Sequence, residues 1–103
     1  MNITDVQIIF PYKNDIRNKL KCFVNIIFDE VFIVRNLRII EGSNGFFVVM
    51  PNHKKKDGSF QDIAHPLTNI FRQQIDDKVL EAYENALKRR SDKINSDKIN
   101  STS

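Results

Sequence analysis

Leu20–Phe28, LKCFVNIIF, alternates without a break. Leu20, Cys22, Val24, Ile26 and Phe28 fall on one side of an extended chain, a period of two that no helix satisfies. Asp29-Glu30 follows as a short polar turn, and Val31–Ile40 continues as a second extended run. Two such runs so joined dictate an antiparallel hairpin. Pairing Phe28 with Val31 predicts Ile26–Ile33, Val24–Arg35, Cys22–Leu37 and Leu20–Ile39 on one face, interrupted by Arg35 alone. The opposite face then carries Ile27–Phe32, Asn25–Val34, Phe23–Asn36 and Lys21–Arg38, and is itself partly apolar.

The flanking segments extend this hairpin into a sheet. Asn2–Phe10 reads as a first strand that Pro11 ends, and Tyr12–Asn18 is turn-like. Gly42-Ser43-Asn44-Gly45 turns the chain into Phe46–Met50, an apolar run suited to a strand covered on both faces. Asn52–Ser59 reads as a loop with Lys54, Lys55 and Lys56 at its tip and Asp57-Gly58 as turn residues. Phe60–Ala64 is a short final strand, and Pro66 forces His65 into an extended conformation. Thr68 is the expected N-cap of a helix. Phe71, Ile75, Val79, Tyr83 and Leu87 recur every fourth residue there, and Ile70, Leu80, Ala82 and Ala86 widen the stripe. Lys88-Arg89-Arg90 suits the helix C-terminus. Beyond it the pentapeptide SDKIN occurs twice in tandem, followed by STS. The predicted class is α+β: a small twisted antiparallel β-sheet of about five strands followed by a C-terminal amphipathic helix. Residues 1–90 form one domain and 91–103 a disordered low-complexity tail.

One helix covers one face of a small sheet. Phe23, Ile27, Phe32, Phe47 and Val49 then need a second cover. A second copy of the chain supplies it most economically, which makes these five residues the expected interface of a homodimer. The N-terminal strand or a loop folded over them is the other solution.

The residues carry no evident catalytic chemistry. His53 lies among lysines, and His65 precedes Pro66. Asp62 and His65 invite an acid–base reading, but turn bonding by Asp62 and packing by His65 explain them better. Cys22 is a single cysteine on an apolar strand face, which excludes an internal disulfide and leaves no metal-ligand spacing. The glycines fit turns rather than a phosphate loop. No enzyme activity, cofactor, metal or small-molecule substrate is expected. No apolar run approaches the ~18 residues of a membrane span, and the N-terminus lacks the pattern of a signal peptide. The expected compartment is the cytoplasm.

The basic groups remain. The formal net charge of +3 permits a polyanion partner without requiring one. Lys54, Lys55 and Lys56 at a loop tip reach phosphates while staying hydrated. Arg72 falls in the first helical turn, where free backbone N–H groups also favour an anion. Gln73 and Gln74 beside it suit phosphate or base edges. Arg35, Arg38 and Lys78 are secondary candidates. A lysine-rich tip also serves plain solubility, and chemistry alone does not choose between the two.

Three stretches carry a resemblance: LRIIEGSNGFFVVMP (Leu37–Pro51), DGSFQDIAHP (Asp57–Pro66) and the helix-opening Arg72, with ITDVQI (Ile3–Ile8) at the start. Over nearly all of residues 1–90 the chain resembles the SpoVG family (stage V sporulation protein G). The departures are Pro11–Asn18, the Asp76-Asp77 pair and the repeated tail. The resemblance implies a bacterial regulator of gene expression, septation or sporulation-type processes that binds DNA, and RNA as well, as a homodimer. It implies a twisted antiparallel sheet followed by a helix, dimerisation through the sheet, and nucleic-acid contacts near the helix, here Arg72, Gln73 and Gln74. The alternative is a protein–protein interaction module that touches no nucleic acid.

Overall fold

The computed structural model describes residues 1–11 and 19–102, with side chains for 1–11 and 19–90. The expected turn at Tyr12–Asn18 lies outside the described residues. Four strands, β1 (Ile3–Ile9), β2 (Leu20–Phe28), β3 (Phe32–Gly42) and β4 (Gly45–Val49), form one antiparallel sheet in chain order. β5 (Asn52–Lys54) and β6 (Phe60–Asp62) form a separate two-stranded hairpin. The helix α1 (Asn69–Thr102) follows. It passes Arg90, where the sequence places the start of the tail; the side chains of the SDKIN repeat are outside the described set.

The α+β architecture is therefore the expected one, with the fifth strand displaced. Phe60–Asp62 does not join the main sheet. It pairs with Asn52–Lys54, a segment read from sequence as loop.

One face of the sheet meets the helix. Cys22, Val24, Ile26 and Phe28 of β2 are buried there with Leu37, Ile39, Val48 and Met50. Ile75, Val79 and Tyr83 close the core from α1. Burying a Val or Ile side chain stabilises by about 1.5–3 kcal/mol, so Ile75 and Val79 contribute strongly to docking the helix, with Phe71 and Leu80 packed beside them. Thr68 caps the helix as expected: its Oγ1 accepts a bond from the Phe71 N–H at 3.1 Å. Ile70 is a departure. Instead of widening the buried stripe it is 76% exposed.

The β2–β3 register also departs from the expectation, in two steps. The loop takes three residues, so Phe28 pairs with Phe32, Ile27 with Ile33 and Ile26 with Val34. The register then shifts again between Val24 and Ile26, and Val24 pairs with Leu37, Phe23 with Arg38 and Cys22 with Ile39. Arg35 and Asn36 together oppose Asn25, a β-bulge. Asn36 sits at φ 69°, a left-handed conformation that Asn tolerates better than most residues. Its N–H donates to Asn25 Oδ1 at 3.4 Å.

The consequences for the faces follow from period two. A one-residue slip turns Phe32 and Val34 toward the helix side and Ile33 away from it. The second slip restores Leu37 and Ile39 to the predicted inward face. The bulge thus lets β3 keep its apolar residues inside without burying Arg35, which stays exposed.

The turn at Asp29-Glu30 is held by the start of β1. Both residues have positive φ, 51° and 62°. Asp29 Oδ1 accepts from the Asn2 N–H at 3.0 Å, and the Asp29 N–H donates to Asn2 O at 2.9 Å. Thr4 Oγ1 accepts from the Glu30 N–H at 3.0 Å and donates to Ile27 O at 3.1 Å. These bonds offset the left-handed geometry that neither residue favours strongly.

Candidate nucleic-acid interface

The hairpin that carries the lysines is built from its own tip outward. Gly58 takes φ 92°, open to glycine and strained for other residues. Its N–H donates to Lys55 O at 3.0 Å, and the Lys55 N–H donates to Ser59 O at 2.7 Å. Asp57 Oδ1 accepts from both the N–H and the hydroxyl of Ser59, at 2.9 and 2.6 Å. These two bonds hold the Asp57 carboxyl below its usual range. The result is an ordered turn that presents Lys54, Lys55 and Lys56, all exposed, with His53 also exposed beside them.

The base of the hairpin is fixed to the sheet. Asn52 Oδ1 accepts from Arg38 Nη2 at 3.0 Å, and Asn52 Nδ2 donates to Met50 O at 3.0 Å. The Ile63 N–H donates to Pro51 O at 2.7 Å. Arg38, a secondary candidate from sequence, therefore orients the lysine-bearing element from the sheet. Nothing in the sequence pattern around Asn52 signals that link.

The helix start is less free than its sequence suggests. Arg72 Nη2 donates to Val48 O of β4 at 2.7 Å, and Nε pairs with Asp76 Oδ1 at 3.3 Å. β4 is an edge strand, and the guanidinium satisfies one of its carbonyls. Gln73 Nε2 donates to Asp77 Oδ1 at 2.8 Å. Both candidates are thus engaged by the Asp76-Asp77 pair one helical turn on, while Gln74 is exposed. The helix start and the hairpin are both attached to β4, the first through Arg72 and the second through the chain itself.

The sheet face away from the helix is the candidate dimer surface. The cross-strand row Ile9–Phe23–Arg38–Val49 runs across all four strands on that face. Ile27 pairs with Ile33, and Ile40 with Phe47, which is 48% exposed. Phe23, Ile27, Phe47 and Val49 thus share this face. Phe32 does not: the register places it opposite Phe28, and it lines a cavity on the helix side. A polar link crosses the centre of the open face, where Asn25 Nδ2 donates to Gln7 Oε1 at 3.2 Å.

The remaining candidates are structural. Cys22 is buried, and burial raises its thiol pKa to about 11, so it is an unreactive core group. His65 is exposed at the strand–helix junction. Among the described residues no three His, Cys, Asp or Glu side chains are grouped to hold a metal ion, and no helix is long and apolar enough to cross a membrane.

Comparison with known proteins places the sequence among relatives. The family model described as SpoVG matches residues 1–85. Three of the similar proteins, each named "Putative septation protein SpoVG", show the extent of the match. The one from Bdellovibrio bacteriovorus is 48% identical over 88 residues, covering 85% of this chain and 78% of its own. The one from Clostridioides difficile is 46% identical over 87 residues, covering 84% and 91%. The one from Myxococcus xanthus is 47% identical over 87 residues, covering 84% of each. Identity at this level, spread over both the sheet and the first half of the helix, settles the kinship: the chain belongs to the SpoVG family.

Proposed function

We propose that this chain is a cytoplasmic nucleic-acid-binding regulator that acts as a homodimer. It binds DNA, and RNA as well, and so modulates gene expression, septation or sporulation-type processes. The observation that carries the reading is the hairpin tip, where three consecutive exposed lysines stand on a turn ordered by Asp57 and Ser59. Such a tip reaches a phosphate backbone without desolvating a buried charge. The septation role comes from the name its relatives carry.

Each copy has a formal charge of +3, so a dimer carries +6. Joining two copies through Phe23, Ile27, Phe47 and Val49 leaves both lysine hairpins and both Gln74 side chains to face one duplex or structured RNA. Phosphate contacts supply most of the affinity, and counterion release makes binding fall steeply with salt. Gln74 is the member of the helix-start trio with the freest side chain for reading a base edge.

The experiment is fluorescence anisotropy of the purified protein against labelled duplex DNA and single-stranded RNA at several salt concentrations. Salt-sensitive binding that survives competitor DNA for some sequences supports the reading. No binding to either at low salt defeats it. The second reading, a protein-interaction module, is favoured by the partly exposed apolar sheet face. It predicts partner capture that survives nuclease and high salt.

A further inference from the structure

The lysine hairpin carries one more group that phosphate attraction leaves unused. Phe60, the first residue of β6, is 67% exposed. It does not line the apolar cavity on the helix side, and its register partner is Lys54. The Lys55 N–H donates to Ser59 O, so the next pair away from the turn, Lys54–Phe60, is of the non-hydrogen-bonded kind, in which side chains stand closest. The Phe60 ring and the Lys54 stem therefore leave one face of the hairpin side by side. The lysine does not cover the ring, which stays open to solvent.

A lone exposed phenylalanine carries no function by itself. This one stands on a built platform. Asp57 and Ser59 hold the turn beside it, and Asn52, two residues from Lys54 on the same face, is tied to Arg38 of the sheet at 3.0 Å. Ring and charges are thus fixed relative to one another before anything binds. Asp62 is exposed on the same face as Phe60, two residues further from the tip. Its carboxylate repels a phosphate there, which directs phosphates to the lysines at the tip and leaves the ring to the bases. A planar ring beside cations suits an unpaired base, which stacks on the ring while its phosphate meets a lysine. In a duplex the base faces are already stacked, and only base edges are open in the grooves. A ring on a hairpin reaches a base face only in a single strand, a loop or a frayed end.

We propose that Phe60 is a stacking platform for an unpaired base, and that it gives the lysine hairpin a preference for single-stranded nucleic acid over duplex. The inference rests on nucleic-acid binding at the hairpin, proposed above, and adds a contact that charge does not supply. The lysines act on any polyanion, whereas Phe60 acts only where a base is unpaired.

The test is fluorescence anisotropy of the full chain at low salt with labelled oligothymidine and with a DNA duplex of the same length, for wild type, Phe60→Ala, Phe60→Leu and Phe60→Tyr. Thermal melts establish that each variant is folded. Stacking on one base is worth roughly 5- to 150-fold in affinity. Phe60→Ala and Phe60→Leu are expected to lose a factor in that range on oligothymidine and less than about twofold on the duplex, while Phe60→Tyr, which keeps the ring, stays near wild type. The chain contains no tryptophan, so the emission of Phe60→Trp reports this position alone, and oligothymidine should quench it. An unchanged oligothymidine affinity in folded Phe60→Ala overturns the proposal and leaves the lysine reading standing. An equal loss on the duplex overturns it too, because the ring then acts without an unpaired base. A lower sedimenting mass for Phe60→Ala overturns it by assigning the ring to a contact between copies. Wild type that binds neither probe refutes the nucleic-acid reading itself, and the stacking with it.

Discussion

Arg72 is the residue on which the sequence and the structure make opposed demands, and Arg72→Ala separates them. As a phosphate contact its loss would cost affinity and leave stability alone. As a strut its loss removes the 2.7 Å bond to Val48 O and the 3.3 Å pairing with Asp76. A hydrogen bond from a charged donor contributes about 1.5–3 kcal/mol when well sheltered. The Arg72 side chain is 40% exposed, so the lower part of that range applies, and the Asp76 pair adds at most ~1 kcal/mol after solvent screening. The expected loss is about 2 kcal/mol, or roughly 8–16 °C in melting temperature for a domain of this size. Urea unfolding at fixed protein concentration measures it, since any self-association makes the midpoint concentration-dependent. Arg72→Lys keeps the charge but loses the planar fork, and should recover less than half. The anisotropy salt slope of Arg72→Ala, measured where the variant is folded, should match wild type. The reasoning is refuted if stability changes by less than ~0.5 kcal/mol while the slope falls by about 1, the signature of one lost phosphate contact.

Other outcomes follow from the same geometry. Replacing Lys54, Lys55 and Lys56 by Ala should weaken binding to all sequences alike and lower the salt slope by roughly 2–3, with stability unchanged within ~0.5 kcal/mol; an unchanged slope defeats the hairpin reading. Asn36→Ala should destabilise by about 1 kcal/mol because the bulge holds residue 36 at positive φ, whereas Asn36→Gly should be milder; equal melting temperatures for Ala and wild type would show that the bulge relaxes. Because the Asp57 pKa is lowered, the turn it stabilises is intact above the ordinary carboxylate range and loosens as pH falls through the depressed value, read as faster exchange of the Ser59 amide. The Cys22 thiol should resist a thiol reagent at pH 8 until the protein unfolds. Its pKa is raised from 9.0 to about 11, so the native state loses stability as pH rises across that window.

The helix and the long hairpin are legible in the sequence because each rests on a periodic signal. The four-residue recurrence of Phe71, Ile75, Val79 and Tyr83 identifies the helix face, although Ile70 and Leu87, read into the same stripe, are exposed, and Thr68 marks its start. Side-chain alternation likewise identifies the buried face of β2. What alternation does not carry is the pairing of one strand with the next. Two candidate registers that differ by one residue look equally apolar here, because β3 offers Phe32 and Val34 on one parity and Val31 and Ile33 on the other. The choice is made by bonds that join residues far apart in the chain: Asn2 and Thr4 to the turn, Asn25 to the bulge. The same holds for the site. Lys54, Lys55 and Lys56 are visible because exposed lysines at a turn need no partner. The engagement of Arg72 is not, because Val48 O lies 24 positions away, on another element.

The register shift also decides which apolar residues each face of the sheet carries. With Phe28 opposite Val31, the open face would gain Phe32 and the helix side would lose it. Ile33 would move the other way, from the open face to the helix side. The bulge and the three-residue loop divide the apolar residues instead. Phe32 joins Leu67 at the cavity mouth, while Phe23, Ile27, Ile33 and Phe47 remain on the sheet. Neither surface lies within reach of the other's cover, since the sheet stands between them. Each of the two apolar surfaces therefore owes its make-up to the bulge and the three-residue loop, which side-chain periodicity does not signal.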